Sequence, residues 1–336
     1  MIMKERNVSF DLLKILACFL VIVNHSSAVF IQFSGLNSSW VLATVTFFIA
    51  KTAVPLFMMV SGALLLNRQR SYTYSFTKAG HFFLLLLIWD YGYWLLGPRP
   101  VAWWRLDAYL QHFFAQPAAI HLWYLYMLVG FYLMLPFISR LTANFTKKDF
   151  EIFLGFWIGF GTTVPFFQAL LHFHISPYFQ LPLYMGFLGY FVLGRYLFLY
   201  PPRKMWLVLV GLISLVVVSG LTISQSLVDQ RAYLGFDNVL FLPVVLIAIT
   251  LFGLIAAPTS PKQSAVLAWI SQLTFGIYLS HFVILHTIVR HLEPLIPAGG
   301  LLKNFTYLLI DALVFIVAGA LTWVLQHIKP FNRLVS

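Results

Sequence analysis

The chain has 336 residues, 61% of them hydrophobic and 9% charged, with a net charge of +11 and a mean hydropathy of +0.87. That is about a third of the charge of a soluble domain, and more apolar surface than a water-soluble fold of this size can hide; 34 Phe and 16 Tyr exclude disorder. The lone cysteine, Cys18, excludes an intrachain disulfide and CxxC chemistry, and in so apolar a chain the positive balance reads as Lys and Arg held on the cytoplasmic face, not as a nucleic-acid footprint.

At roughly 20 residues per span the length allows about ten membrane helices. The apolar runs predict them at 9–30, 40–66, 80–97, 120–140, 151–171, 181–199, 205–224, 238–257, 265–290 and 304–327. The first run has the look of a signal peptide, but it contains Asp11 and Lys14 and no cleavage site follows, so a retained helix is expected. Six tryptophans near span ends, Trp40, Trp94, Trp123, Trp206, Trp269 and Trp323, suggest an interfacial belt. The longest outer segment, 98–118, carries Trp103, Trp104, Leu106, Tyr109, Leu110 and Phe113 and predicts a helix lying on the outer membrane surface. With Lys4 and Arg6 inside, fourteen of the 21 Lys and Arg fall on inner segments, five on outer ones, and Lys14 and Lys51 lie within spans. The expectation is an all-α, polytopic integral membrane protein, one domain over 1–336, with both termini cytoplasmic.

A charge in hydrocarbon costs on the order of 3 kcal/mol, so buried ionisable groups usually face a polar cavity or one another. The candidates are Asp11, Lys14, Lys51, Asp90 and Asp311, with His25, His121, His281 and His286 beside them. On the first helix Lys14 and His25 are eleven residues apart, about 20° in azimuth and roughly 16 Å along the axis, with Asp11 near the same face. One stripe thus carries an acid, a base and an imidazole through most of the bilayer; the plainer reading is a snorkelling lysine with its surface partner and an interfacial histidine. Lys51 is too deep to snorkel, and Asp90 is the expected partner. Val54-Pro55-Leu-Phe-Met-Met-Val-Ser61-Gly62 reads as close helix packing. His281 and His286, five apart, lack the i,i+4 spacing of a zinc pair, and no metal is expected. Inside, Arg68, Arg70 and Lys78 form a basic cluster, either retained positive charge or a docking point for a phosphorylated cytoplasmic molecule.

Lys14-x10-His25 after Asp11 resembles the membrane acyltransferase family 3. Lys51-Thr-Ala-Val-Pro55-Leu-Phe-Met-Met-Val-Ser61-Gly62, His121-Leu-Trp123-Tyr and Phe275-Gly-Ile-Tyr278-Leu-Ser-His281 extend the resemblance over nearly the whole chain. Within it, His281-Phe-Val-Ile-Leu-His286 and the ending Arg333-Leu-Val-Ser336 look similar to the branch that O-acetylates enterobacterial common antigen. Lys replaces the Arg of many members at the start of the x10 motif and in the second helix, keeping charge but losing bidentate recognition.

The resemblance implies a bacterial inner-membrane enzyme that moves an acyl group, usually acetyl, from cytoplasmic acyl-CoA to an envelope glycan or lipid-linked oligosaccharide. His25 is the expected general base, with transient acylation of its ring as a variant; Lys14 and Asp11 complete its helix. Lys51, His121, Trp123, His281 and His286 are expected on the acceptor side, and His121, His281 and Lys51 are open alternatives for the oxyanion. Arg68, Arg70 and Lys78 are expected at the CoA phosphates, with Lys14 at the diphosphate or along the pantetheine path. Membrane lipids, and a second copy of the chain in a homo-oligomer, are the other expected partners. The competing reading is a proton-coupled transporter built on the same buried charges and histidines.

Overall fold

The computed structural model describes residues 7–26, 28–97, 105–176, 186–256 and 264–335. Lys4, Arg6, Arg99, Trp103, Trp104, Lys262 and Ser336, which entered the sequence reading, lie outside them. Among the described residues there is helix and no strand.

The helices are α1 (Val8–His25), α2 (Ser38–Leu65), α3 (Tyr72–Leu96), α4 (Leu106–Ala115), α5 (Ile120–Ala143), α6 (Lys147–Leu171), α7 (Leu188–Leu199), α8 (Lys204–Asp229), α9 (Leu242–Ile255), α10 (Ala265–Leu292) and α11 (Gly300–His327). Eight are long and apolar enough to cross a membrane; α7 and α9 are apolar but shorter, and α4 is the surface helix. With the two short helices the bundle has the ten segments that the apolar runs predict. Polar caps set several starts. Asn7 accepts from the Ser9 amide at 2.9 Å, Asn37 from Trp40 at 2.9 Å, and Thr146 and Asp149 form a reciprocal capping box on α6.

α1 lies inside the bundle, against both halves of α2 and against α9, α10 and α11. Outside it, α3 packs on α5, α8 on α9, and α7 on the inner half of α2. That last contact is backbone on backbone. A Cβ on Gly62 would stand 1.7 Å from the Phe191 carbonyl oxygen, and one on Gly194 would stand 2.0 Å from that of Met59. Ser61-Gly62 is therefore a close-packing motif, as its small residues predict.

At 1.5 Å per residue, α7 and α9 span only about 18 and 21 Å of a hydrocarbon layer about 30 Å thick. Connections fill the difference. In the stretch 230–241, Phe236 and Phe241 pack into an outer aromatic core with Phe30, Trp40, Phe47 and Phe166, and the Val239 carbonyl accepts from the Tyr190 hydroxyl of α7. Trp40 belongs to this core, not to the interfacial belt: it is 1% exposed and donates to the Phe30 carbonyl at 2.9 Å. Trp206, Trp269 and Trp323 are exposed, as a belt requires. The surface helix is present as α4. Tyr109 and Phe113 dock it on the bundle, while Leu106, Leu110 and Phe114 form the exposed stripe. The Tyr109 hydroxyl donates to Leu87 at 3.2 Å.

Candidate active site

Three of the predicted histidines meet, from three helices. His25 ends α1, His121 lies in the turn that opens α5, and His281 is on α10. Their ring centroids are 4.9 Å (His121–His281), 5.3 Å (His25–His281) and 6.2 Å (His25–His121) apart. Phe282 packs against His25 at 5.5 Å and His121 at 5.0 Å. The sequence cannot show this meeting of α1, α5 and α10, but the heights agree. His25 and His281 stand about 25 and 24 Å along their helices from the N-terminal ends.

The hydrogen bonds define the chemistry. His281 Nδ1 is 2.6 Å from the Tyr278 carbonyl. A carbonyl only accepts, so Nδ1 carries the proton and Nε2 presents a lone pair. That Nε2 is buried with no partner, as are both ring nitrogens of His121. The Leu279 carbonyl lies beside His121 and accepts from the Tyr93 hydroxyl at 2.9 Å, with a second lone pair left for the His121 ring. The Tyr278 hydroxyl donates to the His121 carbonyl, fixing the α5 turn on α10. Clustered, buried imidazole nitrogens of this kind are positions at which a polar ligand can hydrogen-bond. Among the described residues no group of three His, Cys, Asp or Glu is placed to hold a metal ion.

Beneath this cluster lies a cavity of about 310 Å³ lined by Lys14, Ser61, Lys78, His81, Tyr124, Tyr132 and Tyr278, among others. Tyr278 belongs to both places, since its ring is 5.6 Å from that of His121 and 6.0 Å from that of His281. Lys14 and His25 therefore both face the interior, but the open path between them that the α1 stripe suggests is divided. The cavity lining ends at Phe57, Tyr124 and Tyr278, and the histidines lie beyond. Asp11 is buried one turn below Lys14.

Other expected neighbours fall elsewhere. Lys51 sits where α2 breaks between Ala50 and Ala53 and pairs with Asp237, not Asp90; its Nζ lies 4.5 Å from the centre of the Phe47 ring. Asp90 instead accepts from the Ala118 amide at 2.8 Å, tying α3 to the segment after α4. Asp237 escapes the sequence reading because it lies outside the predicted span 238–257, whereas the connection before α9 packs inward. The charge of Lys51 also acts on His25.

His286 is exposed and bonds the Phe282 carbonyl at 2.8 Å, one turn outside the cluster. Trp123 packs on Phe187 at 5.3 Å, toward α7. The basic trio separates. Arg70 is buried and folds back on its own helix end, donating at 2.9 Å each to Leu65 O, Leu64 O and Asn67 Oδ1. It caps α2, as cations do at helix C-termini. Arg68 is exposed, and Lys78 is exposed at the cavity. Tyr93, which no motif flags, is a wall of the histidine cluster, 5.0 Å from His121.

A bundle of apolar helices with a buried polar cluster toward one face and a cavity toward the other is an all-α polytopic membrane protein. The family model described as "Acyltransferase domain" matches residues 7–327, and the chain belongs to that family: it is a membrane acyltransferase. No curated protein and no solved structure matches it.

Proposed function

We propose that the protein is a bacterial inner-membrane O-acetyltransferase that takes acetyl from cytoplasmic acetyl-CoA and places it on a sugar hydroxyl at the outer side. The acceptor is a cell-envelope polysaccharide or lipid-linked glycan of the enterobacterial common antigen kind. The observation that carries this reading is the stacking of two sites on one tyrosine: a cavity with Lys14 and Lys78 below Tyr278, and three clustered imidazoles above it, two of which, His121 and His281, hold buried nitrogens without a protein partner.

The chemistry follows from those groups. A sugar hydroxyl is a poor nucleophile and needs a base, and a neutral imidazole suits that task. His25 takes the hydroxyl proton as the oxygen attacks the thioester carbonyl. The oxyanion forms beside His121 and Lys51, collapses, and breaks the C–S bond; the CoA thiolate then takes the proton from His25. His281, with Nδ1–H held by Tyr278, offers Nε2 as an acceptor that orients either the incoming hydroxyl or the His25 ring. Lys14 and Lys78 are the cations along the donor's path, with Arg68 outside; Arg70 serves α2 instead. The thioester reaches His25 when Tyr124 and Tyr278 shift. The intramembrane charges that suggest a proton path also suit this chemistry, and the family favours it over transport.

The test is mass spectrometry of envelope glycans from cells with and without the protein, fed labelled acetate. A glycan that gains one acetyl mass only when the wild-type protein is present supports the reading. Identical glycans in cells with wild-type protein, without it, and with His25→Ala overturn it.

A further inference from the structure

Beside α1, at Ser26 next to His25, a second cavity of about 210 Å³ opens between α1, the first half of α2 and α11. Its polar lining is Ser26, Thr46, Asn304, Tyr307 and Asp311. Asp311 is 2% exposed, and its Oδ1 is buried with no hydrogen-bond partner among the described residues. It stands about 24 Å from the C-terminal end of α11, the same height as His25 and His281 on their helices, and the Ser26 hydroxyl, next in sequence to His25, faces it.

Thr46 Oγ1 donates to Leu42 O at 2.8 Å, one Asn304 Nδ2 proton goes to Ser39 O at 2.8 Å, and the Ser26 hydroxyl lies between Val23 O at 3.1 Å and the Asp311 carboxyl. With the Tyr307 hydroxyl and the second Asn304 proton as donors beside the acceptor oxygens of Asp311, Asn304 and Thr46, the complementary ligand both donates and accepts hydrogen bonds. Among the described residues no Lys or Arg lines the cavity, which disfavours a phosphate. Phe30 and Phe47 supply aromatic walls, and Lys51 over the Phe47 ring disfavours an ammonium. Hydroxyls on an apolar-faced ring meet every condition. The lining residues Leu42, Phe305 and Leu308 are exposed apolar side chains on membrane helices, so the opening faces lipid.

We propose that this cavity binds the sugar headgroup of a membrane-borne saccharide, which enters sideways from the outer leaflet and sets its hydroxyls against Asp311. This deepens the acyltransferase reading and rests on it only for the claim that the bound sugar is the acyl acceptor.

The experiment uses the full-length protein in phosphatidylcholine nanodiscs doped with monoglucosyl diacylglycerol, the matching diacylglycerol, or phosphatidylethanolamine. Retained lipid is read by native mass spectrometry without acyl-CoA. The wild type is expected to retain the glucosyl lipid about tenfold over diacylglycerol, the scale of one net hydrogen bond. Asp311→Leu is expected to bring the ratio to one, and the isosteric Asp311→Asn, which keeps one acceptor oxygen, to an intermediate value. Asn304→Leu, which keeps the buried carboxyl, is expected to lower it several-fold and carries the test if Asp311→Leu does not fold. A wild-type ratio of one, a ratio unmoved by Asp311→Asn and Asn304→Leu, or preference for phosphatidylethanolamine overturns the proposal. Sugar-selective binding by a protein that transfers no acetyl would overturn the enzyme reading alone.

Discussion

Removing the charge of Lys51 tests how the bundle tolerates a cation at its midplane. Lys51 is 14% and Asp237 25% exposed, and they form the ion pair that joins the break in α2 to the connection before α9. Breaking a fully buried pair costs about 3–5 kcal/mol, because the survivor keeps an uncompensated charge. Partial exposure screens this one, so Lys51→Met is expected to cost about 2–3 kcal/mol. Asp237→Leu should cost a similar amount, and the double variant less than the sum, with a coupling of about 1–3 kcal/mol. Unfolding in mixed micelles with increasing dodecyl sulfate measures these costs. Additive single variants, within about 0.5 kcal/mol, would refute the assignment of this pair.

Other outcomes follow from particular contacts. Gly62→Ala drives a Cβ to within 1.7 Å of the Phe191 carbonyl oxygen and should cost about 3 kcal/mol, whereas Gly130→Ala, with nothing within 4 Å, should gain up to about 1 kcal/mol; thermal denaturation compares them. Arg70→Ala should cost about 2 kcal/mol through the lost α2 cap, while Arg68→Ala should stay within about 0.5 kcal/mol; equal shifts in melting temperature would contradict the capping role. Tyr278→Phe deletes the hydroxyl that holds the His121 turn and should lower acetyl transfer about tenfold, the effect of roughly 1.4 kcal/mol on a barrier, with only a small change in thermal stability.

Apolar periodicity is enough to find the eight long apolar helices among the described residues, because a span must be long and uniformly apolar. It was also enough for α4, where Tyr109 and Phe113 oppose Leu106, Leu110 and Phe114. It failed where a connection enters the bundle. Nothing in the sequence order tells Asp90 from Asp237 as the partner of Lys51, since the choice depends on α9 starting deep. The Lys14–His25 stripe was legible because helical geometry relates two positions on one rod. The meeting of His25 with His121 and His281 was not, because it depends on how α1, α5 and α10 pack. Motif order pointed to those residues without saying that they touch. Arg70 shows the opposite limit: an inner arginine reads alike whether it binds phosphate or caps a helix, and only its three 2.9 Å hydrogen bonds separate the two.

The central claim is that an imidazole at the outer end of α1 activates a hydroxyl against a thioester delivered from below. Its most direct measurement is single-turnover loss of labelled acetyl from acetyl-CoA by the purified protein in nanodiscs containing an envelope glycolipid extract. Wild-type protein, His25→Ala and His286→Ala are compared at equal folded concentration. The expected result is a loss of about 10²-fold or more in His25→Ala, the contribution of a positioned base, with His286→Ala within a few-fold of wild type. Transfer by His25→Ala at the wild-type rate would contradict the account.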